Sequence, residues 1–218
     1  MDYCMNILLL TNRNCDKKIL NKFKNVSTEK ITECNRDIDL VISYCYNFRI
    51  KEPLISGPKY GCINFHPAPL PEYKGLAVYN FAILNEESKW GVTCHYVNEK
   101  FDEGDIISQT NFNIGPNHTV DSLRSLSHTY LHKELNKFLN NKKHFLNKSR
   151  KPQKKRGNYY SREMLEKERV VDIMDISKES KHSLDKKIRA FYCPPHKGFS
   201  IKICDDEYEL KYNKNNYE

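Results

Sequence analysis

Met5-Asn6-Ile7-Leu8-Leu9-Leu10 opens a short apolar run that stops at the polar turn Thr11-Asn12-Arg13-Asn14. A lysine-rich stretch follows, expected to be helical through about Lys24. Ile38–Tyr44 (IDLVISY) and Tyr60–Phe65 (YGCINF) are nearly continuous apolar runs, the pattern of strands covered on both faces. Ala77–Asn85 has helical spacing. Trp90–Val97 and Asp105–Phe112 read as two further strands, with Gly104 in the turn between them. From Thr119 to Lys143 the residues Val120, Leu123, Leu126, Tyr130, Leu131, Leu135, Phe138 and Leu139 recur at amphipathic-helix spacing. Strands alternating with helices over residues 1–145 predict a layered α/β fold on a mostly parallel sheet.

Beyond that point the pattern changes. Residues 146–187 read as a basic linker and connector, of which Gly157–Ile176 is charged and sparsely apolar. Residues 188–218 contain Pro194-Pro195, Gly198 and a hairpin pattern, Phe199–Cys204 with Glu207–Tyr212 around Asp205-Asp206, and predict a small β appendage. There is no internal repeat, and no run of 18 apolar residues that would make a membrane-spanning helix. Met1–Met5 has neither a basic region nor a cleavable signal pattern, so a cytoplasmic protein is expected.

Charge sharpens this division. The chain has 218 residues with a formal net charge of +8 and a mean hydropathy of −0.76. Between Lys142 and Arg156 lie eight basic residues and no acidic one; setting them aside leaves 28 basic against 28 acidic residues. The whole excess sits in one tract. A solvated linker explains it, and so does an anion-binding rim or a nucleic-acid contact. Phe145 is the tract's only aromatic residue, which leaves it short of the base-stacking side chains of single-strand binders. The eight cysteines include no CxxC pair and read as reduced thiols, Cys62 and Cys94 as small core residues rather than metal ligands. His128 and His132 stand four apart on the long helix, but no third ligand accompanies them in sequence, so no metal is expected.

The densest chemical signal is Ile63-Asn64-Phe65-His66-Pro67-Ala68-Pro69-Leu70-Pro71-Glu72-Tyr73-Lys74-Gly75. Asn64 and His66 are two apart at a strand end and leave the same face, while Phe65 leaves the other. The alternating prolines stop the strand and impose an extended loop. An amide and an imidazole would then stand at the carboxyl edge of the sheet, where α/β folds place ligands. By themselves these residues fit a turn-capping Asn and a structural His equally well. Phe101-Asp102-Glu103-Gly104-Asp105 supplies a carboxylate after the Trp90–Val97 strand, suited to holding a neighbouring histidine in one tautomer; an ordinary Asp/Gly turn is the plainer reading.

INFHPAPLPEYKG followed by WGVTCHYVNEKFDEGDII resembles the 10-formyltetrahydrofolate-dependent formyltransferases: Asn-x-His-Pro, a Leu-Pro-x-Tyr-(Arg/Lys)-Gly loop, a Gly-Val-Thr strand and an Asp-x-Gly turn, in order. The resemblance covers residues 38–112 and implies a Rossmann-like formyltransferase sheet with Asn64, His66 and Asp102 catalytic, and Asp105 as the weaker alternative carboxylate. It implies formyl transfer from folate to an amine through a tetrahedral intermediate, Asn64 and a protonated His66 donating to the oxyanion. Tyr46, Asn47, Phe48, Arg49 and Ile50 would form one folate wall, and Asn98–Asp102, with Asn98 and Phe101, the other. His66 lies earlier than the family usually places it, so one strand–helix unit is expected to be shortened or missing.

Within that family, the short β appendage, Gly157–Arg162, Lys187–Phe191 and Asn80–Ile83 look most like the nucleotide-sugar N-formyltransferases. The expected acceptor is the primary amine of a nucleotide-linked amino sugar, such as a dTDP-sugar, with Arg13, Tyr73 and Lys74 as contacts and a homodimer as the assembly. Glycinamide ribonucleotide and methionyl-tRNA are the alternative acceptors. The first enzyme normally ends after the long helix, and the second carries a barrel larger than the stretch after Arg156. A non-enzymatic nucleic-acid module using residues 142–156 is the remaining alternative.

Overall fold

Leu40–Tyr44 is buried at all five positions, and a strand with no exposed face needs cover on both sides. The computed structural model describes residues 5–12, 14–147, 150–153 and 157–213. Its first part runs β1 (Ile7–Thr11), α1 (Lys17–Leu20), β2 (Asn25–Ser27), β3 (Leu40–Tyr44), β4 (Cys62–His66), β5 (Tyr73–Gly75), α2 (Val78–Leu84), β6 (Lys89–Tyr96), β7 (Ile106–Asn113) and α3 (Val120–Asn140). There follow α4 (Lys142–Asn147), β8 (Asn158–Tyr160), α5 (Arg162–Arg169), β9 (Val170–Asp172), α6 (Lys181–Phe191), β10 (Ser200–Ile203) and β11 (Asp206–Glu209). The main sheet has the order β2-β1-β3-β4-β6-β7. Its first four strands are parallel, and β6 and β7 are antiparallel additions, the mostly parallel sheet expected.

The two faces of the sheet are covered differently, and this positions the site. Leu9, Leu40, Ile42, Ile63 and Phe65 face one side and pack with Leu123, Leu131, Leu135 and Phe138 of α3. Glu134, buried on α3, accepts from Ser108 and Thr110 of β7 and ties the helix to the sheet's outer strand. On the other side Leu10, Val41 and Cys62 are covered by Ile31, Ile38, Ile50 and Leu54, which belong to connections rather than helices. Between β2 and β3 no helix forms among the described residues.

Three local expectations change. The helix expected through Lys24 is one turn, Lys17–Leu20, because Ile19 is the only one of its residues buried. The sparsely apolar stretch after Gly157 is structured, since β8 pairs with β5 and β9 pairs with β10. Those pairings use backbone groups, which an apolar pattern does not report. The hairpin turns at Cys204-Asp205, one residue earlier than expected, with Cys204 in the left-handed region at φ 54°. The C-terminal part also shares the main core: Asn80 Nδ2 donates to Ala190 O at 2.7 Å, and Ala190, Phe191 and Phe199 join the α3-side cluster.

Candidate active site

Alternation along β4 sets the first two groups. Cys62 belongs to the loop-covered face, so Asn64 and His66 continue that face while Phe65 packs edge-on against Phe138, centroids 6.0 Å apart. The prolines then carry the chain away, and Trp90 Nε1 donates to Pro67 O at 3.1 Å to hold the departing loop. His66 is only 5% exposed; its Nε2 lies 2.8 Å from Tyr73 O and its Nδ1 lies 3.6 Å from Asp102 Oδ1. Both ring nitrogens therefore face oxygens, Nε2 at hydrogen-bond distance from the Tyr73 carbonyl and Nδ1 towards the Asp102 carboxylate.

A residue that sequence reasoning did not nominate stands beside them. In the β4–β6 register Asn64 is opposite His95, on the same face. His95 Nδ1 lies 2.8 Å from Tyr96 O, a carbonyl that can only accept, so Nδ1 carries the proton and Nε2 is bare. Asn64 Nδ2 donates to that bare nitrogen at 3.2 Å. This orients the Asn64 amide and leaves its second N–H for a ligand. Burial, assisted by the neighbouring His66, outweighs the attraction of Asp102 and pushes the His95 pKa down to about 4, so the ring stays neutral. The available signal was a lone imidazole in an otherwise apolar strand, four residues before the turn at Glu99.

Asp102 arrives by a different route from the one expected. β6 runs antiparallel to β4, so its end lies at the opposite edge of the sheet, and residues 97–105 must fold back towards His66. Asp102 takes φ 54°, a left-handed conformation that turns its carboxylate inward. Gly104 allows the return: a Cβ there would sit 1.7 Å from Tyr96 O. Asp102 Oδ2 accepts from Gly75 N at 2.9 Å, and Oδ1 lies 3.6 Å from both His66 Nδ1 and His95 Nε2. Burial opposes ionisation of this carboxyl, but His66, His95, the Gly75 N–H and Lys74 prevail and hold its pKa below the usual range. Asp105, the alternative carboxylate, uses its carbonyl to pair with Tyr96 N and does not line the cleft.

These groups form the floor of a cleft of about 380 Å³. One wall is Tyr46, Asn47, Phe48, Arg49 and Ile50; the other is Val97–Asp102, including Asn98 and Phe101, so all seven residues proposed for folate line it. Arg49 joins the walls, donating to Glu99 O at 2.9 Å with its guanidinium 4.9 Å from the centre of the Phe101 ring. A flat heterocycle with polar edges fits this donor set: aromatic faces, open main chain, and Asn64, His66 and Asp102 at the base. The proposed acceptor contacts fare differently. Arg13 lies outside the described residues. Tyr73 turns into the core, its hydroxyl donating to Glu87 at 2.7 Å, and Lys74 is buried with Nζ 3.2 Å from Glu103. Neither lines the cleft. His128 and His132 lie along α3, and among the described residues no cluster of three or more His, Cys, Asp or Glu is set to hold a metal ion.

Comparison with known proteins adds three findings. The family described as formyl transferase matches residues 12–139. The methionyl-tRNA formyltransferase of Ehrlichia chaffeensis is 34% identical over 164 residues, covering 75% of this chain and 50% of that protein. The chain thus spans about half the length of such curated relatives. Among solved structures, a 4-N formyltransferase from Francisella tularensis superposes with a TM-score of 0.77 at 20% identity, covering 94% of this chain and 96% of that one. The formyltransferase PseJ from Anoxybacillus kamchatkensis, solved with UDP-4,6-dideoxy-4-formamido-L-AltNAc and tetrahydrofolate, reaches 0.63 at 27% identity over 74% of this chain and 88% of that one.

Proposed function

The chain belongs to the formyl transferase family, and on that premise we propose that it transfers a formyl group from 10-formyltetrahydrofolate to the primary amine of a nucleotide-linked amino sugar. The observation that carries this reading is the convergence of Asn64, His66 and Asp102 at the base of a cleft walled by Tyr46–Ile50 and Val97–Phe101. The folate is a co-substrate held between those walls, and it supplies the carbonyl carbon that the amine attacks.

The residues divide the work by charge. The free N–H of Asn64, its amide aligned by His95, donates to the oxygen that gains negative charge. One such donor is worth about 3 kcal/mol of barrier. An imidazolium at His66 sets positive charge against the same oxygen, with Asp102 behind it as counter-ion. The attacking nitrogen sheds its proton to the Asp102 carboxylate, directly or through a water, and as the tetrahedral intermediate collapses the bond from the formyl carbon to N10 breaks and tetrahydrofolate leaves with that proton on N10. Because Asp102 is held well ionised, it is a weak base, and its larger part is to orient and charge His66.

A sugar acceptor is supported by the small C-terminal sheet and by the likeness to PseJ, solved with a UDP-linked formamido sugar and tetrahydrofolate. Methionyl-tRNA is the second reading, favoured by the names of the curated sequence relatives. Turnover with 10-formyltetrahydrofolate against a panel of nucleotide-linked amino sugars, with glycinamide ribonucleotide and methionyl-tRNA as controls, tests both. Formylation of a sugar nucleotide is expected. Activity on the tRNA alone would change the acceptor and keep the chemistry; no transfer to any amine would overturn the proposal.

A further inference from the structure

The Asp102 carboxylate sits on a turn that is clasped by a side chain from far along the sequence. Asp102 is in the left-handed region without being glycine, and its outward neighbours Phe101 and Glu103 are exposed. An aspartate tolerates this region better than most residues, and what holds the turn closed around it is its surroundings. The surroundings come from far along the chain. Gln153 Nε2 donates to Asp102 O and to Gly104 O, both at 2.8 Å. One amide therefore spans residues i and i+2 of the turn, closing it from outside while Gly75 N holds the carboxylate from inside.

Chemistry fixes the direction of that amide. Both turn groups are carbonyls, which only accept, so the NH2 end must face them. The price is visible at the other end, where the Gln153 Oε1 is buried with no hydrogen-bond partner. Gln153 is itself anchored on both sides: Ile106 N donates to Lys151 O at 2.9 Å, the Arg150 guanidinium lies 3.9 Å from the centre of the Tyr96 ring, and Gly157–Tyr160 continues into the pairing with β5. A stretch whose composition reads as solvated linker is thus docked onto the catalytic loop.

We infer that Gln153 is a positioning residue for formyl transfer, holding the Asp102 turn so that its carboxylate stays between His66 and His95. This rests on the catalytic reading of Asp102 given above. Asp102 is faced by His66 from β4, His95 from β6, Lys74 and the Gly75 N–H from β5, and by its neighbour Glu103. Releasing the turn moves the carboxylate away from these groups but leaves the Tyr46–Ile50 wall intact.

Gln153→Met keeps the side chain's length and removes both donors. It is expected to lower kcat about tenfold to a hundredfold, the usual cost of misplacing a reacting group by about 1 Å, with KM for the acceptor within about twofold of wild type and KM for the folate, whose Tyr46–Ile50 wall is untouched, changing several-fold less than kcat. Gln153→Glu presents an acceptor to the two carbonyls and is expected to lose at least as much, which keeps the test decisive if the methionine variant folds poorly. The same substitution in an Asp102→Asn background is expected to cost no more than about a further twofold, because both act on one group. Wild-type kcat in a folded Gln153 variant, or equal losses in both backgrounds, would overturn the inference. A wild-type protein that formylates no amine would instead overturn the proposed function, so the two failures are distinguishable.

Discussion

His66 and Asp102 face one another across 3.6 Å, and each is open to a test of its proposed role by a conservative substitution. Asp102→Asn keeps the side chain's size but removes the counter-ion of His66, and His66→Asn removes the ring itself. Each is expected to reduce kcat by at least about a hundredfold with an unchanged circular dichroism spectrum. Near-normal turnover in either variant would remove that residue from its role. His95 gives a prediction of another kind, in stability. Folded, it binds a proton less readily than unfolded, so the unfolded chain takes one up first as pH falls below the ordinary value of 6.5. Its contribution is complete above pH 6.5 and is lost progressively towards about pH 4, where the folded ring also titrates. His95→Gln should therefore flatten the fall of unfolding free energy over that window by up to about 1.4 kcal/mol per pH unit. Urea midpoints at pH 6.5 and 4.5 would show it, and an unaltered pH dependence would place the acid sensitivity elsewhere. Asn64 and His66 were legible because a two-residue period is a property of the strand itself. His95 was not, since its importance comes from lying opposite Asn64 in a register 31 residues distant in sequence.

At the scale of elements, the site is made by two returns of the chain. The first is the loop 97–105, which brings Asp102 back from the wrong edge of the sheet. Gly104→Ala would place a methyl 1.7 Å from Tyr96 O and should displace this loop, with kcat falling while folate affinity changes less. Equal activity with alanine would mean that the loop can shift without moving its carboxylate. The second return is Gly157–Tyr160 against Tyr73–Gly75. A Cβ at Gly157 would meet Pro71 O at 1.3 Å, so Gly157→Ala should open the β5–β8 pair and lower the thermal midpoint by several degrees. An unchanged midpoint would show that this pairing adds little to stability. Strands β3 and β4 were readable because buried parallel strands are continuous apolar runs. β8 and β9 were not, because three-residue strands held by backbone pairing leave no periodic signature.

For the molecule as a whole, the net charge of +8 belongs to residues 142–156 and not to the sheet. Within that tract Lys142–Asn147 forms a helix after α3, and Arg150–Gln153 lies against the loop 97–105; Lys148 and Lys154–Arg156 lie outside the described residues. None of the tract's described residues lines the cleft, and Arg150, stacked on Tyr96, and Lys151, whose carbonyl pairs with Ile106, are the described cations beside the loop that forms its second wall; any effect on an anionic ligand would act through the field over a screening length of about 8–10 Å. The KM for a polyglutamylated folate is expected to rise with added salt more steeply than the KM for the monoglutamate. Identical salt dependence for the two would remove the tract from folate capture.

Local order along the chain determined the layered α/β fold, the mostly parallel sheet and the shared face of Asn64 and His66, because buried strands and alternating faces are written in short stretches of hydrophobicity. The tract of basic residues was equally plain as composition. What it touches was not. Only the tertiary structure set Asn64 against His95, drew Asp102 back across the sheet, turned Tyr73 and Lys74 away from the cleft and laid Gln153 on the catalytic turn. Those are pairings between residues distant in sequence, made by backbone geometry and burial, and no local pattern encodes them.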